Sequence, residues 1–380
     1  MSKYLPKTSA AAVICELNPM HKGHLRMLSL IRERMPDSVV CAVMSGDFVQ
    51  RGECAVYDKY LRAELAVRHG FDLVLELPPP FSFGAAERFA RGGVGMADAL
   101  GVFTHLAFGC TPGNEDRLRS ASGRMMSPGF EEKVKEKLSS HRSDPVSYVT
   151  AKGEAYFELY GEKMPESPND ILAVEYLSAL KKLGSSVEPL FIGREGPWSA
   201  SSARKMIKDG NTEALREALP DGFSPEGLTA ADMDDAFPAV AYKLRNTPPE
   251  ELRTYADVTD GMENLIASAA RTSEDWDSLV KAVSGKKISA ARARRTLLNC
   301  VIGVGEEDFG GIPPYTVLLA ANRKGAGLLR AMKKNSAVKI VSRPAEADDR
   351  ILTATEELYS LFFRPVREAG WAMKKRIYTE

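Results

Sequence analysis

The stretch from Ala11 to Arg26, AAVICELNPMHKGHLR, constrains the chain more than any other. A short apolar run, Ala11 to Cys15, stops at a polar bend containing Pro19, and an amphipathic pattern (Leu25, Leu28, Leu30, Ile31) begins directly after His24. That order reads as strand, loop, helix. It sets His21 and His24 at a helix N-terminus, where unpaired backbone N–H groups and the positive end of the helix dipole attract phosphate, and Gly23 leaves room for close approach. A lone loop histidine is most often a surface or hydrogen-bonded residue. H-x-G-H placed after a first strand and opening a helix is a far narrower pattern.

Alternation of strand and helix continues downstream. Ser38 to Met44 predicts a buried second strand, which makes a parallel strand–helix–strand unit with the first. The loop Ser45 to Glu53, with Gly46 and Gly52, follows at the carboxyl end of that strand, where open α/β sheets hold ligands. A helix over Asp58 to His69 precedes a strand over Phe71 to Leu77, stopped by Pro78, Pro79 and Pro80. Helical periodicity over Phe83 to Leu100 leads to a strand at Thr104 to Phe108, and Thr111 to Ser127 reads as a polar surface loop. Helices are expected over Phe130 to Leu138, over Val146 to Tyr160 and after Pro168-Asn169-Asp170, and a last strand over Val187 to Ile192. Ser199 to Arg204, SASSAR, then opens another helix. Capping alone would account for Ser201 or Ser202, but beside H-x-G-H the turn offers a second phosphate-binding N-terminus.

Composition narrows the function classes. The chain has 380 residues, enough for two domains, and its 51 basic and 51 acidic side chains cancel, which argues against a generally basic nucleic-acid binder but not against a local patch. No apolar run approaches a membrane span, and Lys3 and Lys7 are followed by too short an apolar segment for a secretory leader, so a cytoplasmic protein is expected. Cys15, Cys41, Cys54, Cys110 and Cys300 form no C-x-x-C pair, so neither a disulfide framework nor a zinc site is indicated. Past about Thr212 the strand-like runs largely stop and Pro220, Pro225, Pro238, Pro248 and Pro249 punctuate short helical segments. A boundary near residue 215 follows, with a mainly helical second domain. Within it Lys281 to Asn299 gathers Lys286, Lys287, Arg292, Arg294 and Arg295, either a solvated helix face or the electrostatic footprint of an RNA contact.

Taken in order, CELNPMHKGH, MSGDFVQRGE, FSFGAAERFARG, FGC, PNDILAVEY and SASSAR resemble the bacterial tRNA(Met) cytidine acetate ligases of the HIGH nucleotidyltransferase superfamily. Asp47, Thr111-Pro112 after FGC, and a 194–199 turn without a tyrosine–histidine pair depart from that pattern. The resemblance implies an α/β fold in which a Rossmann-like nucleotidyltransferase domain with a parallel sheet (residues 1–215) is followed by a mainly α-helical C-terminal domain that contacts tRNA (residues 216–380). It implies catalytic roles for His21 and His24. It also implies ATP-binding positions at Ile14, Cys15, Glu16, Leu17, Asn18, Pro19, Met20, His21, Lys22, Gly23, His24, Leu25, Arg26, Met27, Gly109, Asn169, Arg194, Ser201 and Arg204. Lys286, Lys287, Arg292, Arg294 and Arg295 are the expected tRNA contacts.

The implied reaction activates acetate with ATP as acetyl-adenylate and passes the acetyl group to the wobble cytidine of elongator tRNA(Met). Magnesium is expected with the triphosphate, although no acidic cluster dedicated to a metal stands out; membrane and DNA are not expected partners. Chemistry favours the same order of steps. Acetate alone would have to expel oxide, whereas attack on the α-phosphate gives a mixed anhydride with AMP as leaving group, and charge building on the phosphate oxygens calls for fixed donors. Two other readings share H-x-G-H and the serine turn: a small-molecule adenylyltransferase of cofactor synthesis, and a catalytically idle RNA-binding homologue.

Overall fold

The computed structural model describes residues 9–141 and 146–380, so Lys3 and Lys7 lie outside the described residues. Among the described residues ten strands and sixteen α-helices succeed one another. The strands are β1 (Ala10–Cys15), β2 (Val39–Ser45), β3 (Phe48–Val49), β4 (Glu53–Cys54), β5 (Leu73–Leu77), β6 (His105–Cys110), β7 (Glu188–Gly193), β8 (Tyr315–Ala321), β9 (Lys339–Val341) and β10 (Tyr378–Thr379). The helices up to residue 218 are α1 (Lys22–Arg34), α2 (Lys59–Arg68), α3 (Ala86–Ala99), α4 (Glu115–Met125), α5 (Pro128–Ser140), α6 (Tyr148–Tyr160), α7 (Pro168–Leu183), α8 (Ala200–Lys208) and α9 (Thr212–Ala218). Beyond them come α10 (Phe237–Asn246), α11 (Pro249–Leu252), α12 (Met262–Thr272), α13 (Trp276–Val283), α14 (Ala290–Ile302), α15 (Arg323–Asn335) and α16 (Arg350–Ser360).

Eight strands form one sheet in the order β10-β8-β5-β2-β1-β6-β7, with β9 also paired to β8. All pairings are parallel except β5 with β8. Strands β1, β2 and β5 are buried almost throughout and are apolar except for Ser45 at the end of β2 and Glu76 in β5, as parallel strands covered on both faces must largely be. After β1 the chain steps one way to β2 and β5, and later the other way to β6 and β7. The reversal opens a crevice at the carboxyl ends of β1 and β6, where a doubly wound sheet takes its ligand.

One expectation needs correction. Residues 111–127 are not a loop: α4 occupies Glu115–Met125, anchored by buried Leu118 and Ala121. The stretch 45–53, expected to face a ligand, is built as an antiparallel hairpin in which Phe48–Val49 pairs with Glu53–Cys54 and Phe48 and Val49 are fully buried. Beyond residue 215 helices predominate, and β8, β9 and β10 add to the sheet begun by the first 193 residues. The seven residues of β8, YTVLLAA, are all apolar or buried, and periodicity cannot separate so short a continuous run from a buried helix turn. The side chain of Thr316 secures the junction by donating to the Glu76 carbonyl at 2.7 Å.

Candidate active site

A cavity of about 630 Å³ occupies the crevice. Its floor comes from the end of β1 (Ile14, Cys15, Glu16), from Phe108 and Gly109 on β6 and from Ile192 and Gly193 on β7. Gly109 has open space where a side chain would point, so its backbone borders the cavity directly. Three helix N-termini converge on the same volume, those of α1, α7 and α8, one more than the two phosphate-binding termini legible in the sequence.

The start of α1 is built by its two histidines. His21 is the N-cap, with extended backbone, and its Nδ1 accepts the Gly23 backbone N–H at 3.0 Å. In return His24 Nδ1 accepts the His21 backbone N–H at 3.1 Å, completing a capping box. Each ring spends its Nδ1 lone pair on the backbone, so in the neutral imidazole the proton sits on Nε2 and that N–H is the remaining donor. Burial, and next the nearby Arg194 charge, push the His21 pKa down to about 4. Burial, His21 and Arg194 hold His24 well below the usual histidine range. Both rings, 3.9 Å apart between centroids, are therefore neutral N–H donors at pH 7.

Gly23 has a more specific task than leaving room for phosphate. A Cβ there would lie 2.7 Å from His21 Cε1 and 2.9 Å from Nδ1, so any side chain would displace the capping ring. Upstream, Leu17 is held at φ +48°, a left-handed conformation costly for a branched side chain, while buried almost completely. Asn18 pins this turn: its Oδ1 accepts the Val56 N–H at 2.8 Å, and its carbonyl accepts Arg204 Nη1 at 3.0 Å.

At α8 the cap is Ser199, not Ser201 or Ser202 as expected. Ser199 has the extended backbone of an N-cap and its Oγ accepts the Ser202 N–H at 3.1 Å. Ser201 is thereby left exposed at the cavity, with a long 3.5 Å contact from Arg204 Nη2. At α7, Ser167 caps and Pro168 occupies the first turn, which presents Asn169 to the cavity. Asp170, expected only as part of the helix-start signal, fastens that helix to β6 by accepting from the Thr111 N–H and hydroxyl, both at 2.8 Å, and from Asn114 at 3.1 Å. Burial works against its charge, yet these hydrogen bonds hold its carboxyl below the usual range.

Of the expected ATP positions, Ile14, Cys15, Glu16, Leu17, Asn18, His21, Gly23, His24, Arg26, Met27, Gly109, Asn169, Arg194, Ser201 and Arg204 line the cavity. Pro19, Met20, Lys22 and Leu25 do not. Met20 and Leu25 pack into the apolar layer beneath α1, and Lys22 pairs with Asp221 at 3.2 Å. Residues not singled out earlier also face the cavity, among them Phe89, Phe108, Tyr176 and Val149. Their signal was indistinguishable from that of core side chains.

The basic run divides. Lys286 and Lys287 are exposed ahead of α14, but Arg292, Arg294 and Arg295 are half-buried. Arg292 donates to the Asp257 carbonyl at 3.3 Å and Arg294 to the Arg51 carbonyl at 3.1 Å. Gly52, at the hairpin turn with φ +72°, permits this docking, since a Cβ on it would sit 2.7 Å from the Arg295 backbone nitrogen. The hairpin thus lies against α14, and Arg295 reaches the cavity with Gln50, Arg51 and Glu53.

Comparison with known proteins agrees with this geometry. Residues 8–369 match the HIGH Nucleotidyl Transferase family. The chain is 32% identical to the tRNA(Met) cytidine acetate ligase of Thermoanaerobacter sp. (strain X514), covering 94% of this chain and 96% of that one. It is 30% identical to the enzyme of that name from Clostridium botulinum (strain Okra / Type B1), with the same coverage. Among solved structures, Thermotoga maritima TmcAL bound with alpha-thio ATP superposes with a TM-score of 0.84 at 27% identity, over 98% of this chain and 99% of that one.

Proposed function

The chain belongs to the HIGH nucleotidyl transferase family and, within it, to the tRNA(Met) cytidine acetate ligases, and from that premise we propose how its residues divide the reaction. It is an ATP-dependent ligase that acetylates a cytidine of tRNA(Met). In the first step an acetate oxygen attacks the α-phosphorus of ATP, the bond to the bridging β-phosphate oxygen breaks, and pyrophosphate leaves with acetyl-adenylate formed. In the second, the exocyclic amine of the wobble cytidine in elongator tRNA(Met) attacks the acetyl carbonyl, AMP leaves and the amine loses a proton.

The observation that carries this reading is the pair of neutral imidazoles whose Nε2–H groups remain as donors at the head of α1. The outward donors stabilise charge that builds on the α-phosphate oxygens, and being neutral they surrender no proton there. The α8 N-terminus, with Ser201, Arg204 and Arg194, holds the outer phosphates, and Gly109 and Asn169 border the nucleoside. Magnesium enters as part of the nucleotide substrate. Among the described residues no group of three or more histidine, cysteine or acidic side chains is arranged to hold a metal, and Glu53, which lines the cavity, is paired with Arg204 at 3.2 Å. Triphosphate oxygens are thus its natural ligands.

We assign the binding of ATP to residues 1–215 and tRNA contacts to the remainder, with Lys286, Lys287, Arg292 and Arg294 facing the RNA backbone. Among the described residues no helix is long and apolar enough to cross a membrane. We place the reaction in the cytoplasm, with ATP and tRNA. Mass spectrometry of nucleosides from tRNA incubated with the protein, ATP and labelled acetate tests the reading: labelled N4-acetylcytidine at the wobble position supports it, and its absence overturns it.

A further inference from the structure

Arg295 stands apart from the other arginines of the cavity. Arg26 pairs with Glu195 at 3.0 Å, Arg204 with Glu53 at 3.2 Å and the Asn18 carbonyl, and Arg194 donates to the Trp198 carbonyl at 2.9 Å. Arg51 is exposed at the rim. Arg295 is half-buried, yet its guanidinium makes a single long contact, from Nη1 to the Gln50 carbonyl at 3.5 Å. Its Nε is buried without an acceptor, and among the described residues no carboxylate forms an ion pair with it. A guanidinium carries five N–H donors, and leaving a buried cation so poorly matched is costly. Burial lowers its proton affinity, Asp257 raises it, and Arg292, Arg294 and Arg88 lower it further. A guanidinium so placed is matched in charge and donors to an anion.

The surroundings narrow the kind of anion. Phosphates are provided for at the α1 and α8 N-termini, whereas Arg295 enters from α14, behind the hairpin. Ala291, one turn earlier on α14, lines the same cavity, as do Val49, Ala86 and Phe89. A cation in a cavity that also offers apolar side chains suits a short-chain carboxylate: the guanidinium takes the two oxygens and apolar lining takes the methyl group. The reaction also requires such a cation, because acetate must approach a nucleotide of its own charge sign before bond formation. Resting on the ligase reading above, we infer that Arg295 is the acetate-binding residue of the adenylation step, and so a determinant of substrate choice, rather than a contact to the tRNA backbone.

The test uses the full-length protein with Arg295→Gln and Arg295→Lys, assayed by acetate-dependent ATP–pyrophosphate exchange and, separately, by tRNA acetylation from ready-made acetyl-adenylate. The expected result for Arg295→Gln is a rise of about tenfold or more in the KM for acetate, with Arg295→Lys intermediate, from the usual worth of a charge-assisted hydrogen bond. The KM for ATP stays within about twofold, since the triphosphate is held elsewhere. Transfer from acetyl-adenylate to tRNA stays close to wild type, because the carboxylate has already been consumed. An unchanged KM for acetate in both variants overturns the assignment, as does a rise confined to the KM for tRNA. If the glutamine variant does not fold, the lysine variant carries the same comparison. Should the wild-type protein show no acetate-dependent exchange at all, the ligase reading falls and this inference with it, a result distinct from an Arg295-specific failure.

Discussion

His24 Nδ1 accepts the backbone N–H of His21 at 3.1 Å, so the second histidine of the motif fixes the first before either meets a ligand. The same bond leaves His24 Nε2–H as an outward donor. Replacing His24 by alanine should lower acetate-dependent pyrophosphate exchange about a hundredfold or more, the usual effect of losing an oxyanion donor. ATP affinity should fall much less, since the donor acts as charge develops. Ready-made acetyl-adenylate bypasses that step, and transfer to tRNA should then run near the wild-type rate. Equal losses in ATP binding and in transfer would make His24 a structural residue.

Gly23→Ala separates helix propensity from site geometry. Alanine in a helix interior is favoured over glycine by about 1 kcal/mol, but here its Cβ would meet His21 Cε1 at 2.7 Å. The ring must yield, and its Nδ1 bond to the residue 23 N–H with it. Activity should drop at least about tenfold while the melting temperature changes by only a few degrees. A fully active Gly23→Ala protein would show that the His21 orientation is dispensable.

His21 sets a pH window that NMR can follow. Its pKa of about 4 in the folded protein lies below its ordinary 6.5, so the unfolded chain takes up the proton first. Its contribution to stability is therefore complete above pH 6.5 and is lost as pH falls through about 4. The ring proton resonances of His21 should titrate with a midpoint at about 4, and exchange activity should show no His21 inflection near 6.5. A midpoint above 6 would mean that the imidazole is cationic at the phosphate.

Asp47 has the opposite sign. Lys59 Nζ is buried among Glu76 at 2.8 Å, Glu356 at 2.6 Å and Asp47 at 3.8 Å, three carboxylates around one ammonium. Burial, opposed by Lys59 and reinforced by Glu356 and Glu76, raises the Asp47 pKa to about 7. Its bound proton stabilises the fold below the ordinary 3.8, and that contribution is lost as pH rises through about 7. Asp47→Asn keeps the neutral form, so its melting temperature should exceed wild type at about pH 8.5, the gap narrowing below about 7 and closing only as pH falls below the ordinary 3.8. A pH-independent difference would place the charge elsewhere.

For tRNA, the informative pair is Lys286 and Lys287. Arg294 holds the hairpin in place through the Arg51 carbonyl, so substituting it would disturb the cavity as well as the surface. Lys286→Glu with Lys287→Glu should weaken tRNA binding and flatten its salt dependence by about two counterions. Acetate-dependent exchange without tRNA should be unaffected. Unchanged tRNA affinity would return these lysines to the role of a solvated segment.

Much of the catalytic face was legible because it is local. Strand, turn and helix signals sit within sixteen residues from Ala11 to Arg26, and capping chemistry is written in neighbours such as Ser167 with Asp170. What escaped notice depends on distance along the chain. Glu356 meets Lys59 across 297 residues, and nothing around Glu356 distinguishes it from a helix-surface acid. Arg295 lies in a basic run that resembles any nucleic-acid footprint, and only the docking of Gly52 against α14 turns it toward the cavity. The hairpin was hidden because two-residue strands carry too few positions for a period to register.

The antiparallel seam between β5 and β8 has a consequence for synthesis. Thr316 and Glu76, which meet across it, are 240 residues apart. As the chain leaves the ribosome, β1, β2 and β5 can assemble early with their parallel partners, but the outer edge of β5 must wait for most of the remaining polypeptide. For that interval a flat, apolar strand edge is presented to other nascent chains, the situation in which edge-to-edge aggregation begins. A ribosome stalled after α14 would therefore release a fragment that already possesses the histidine turn and the arginine helix, yet carries an uncapped sheet and calls on chaperones.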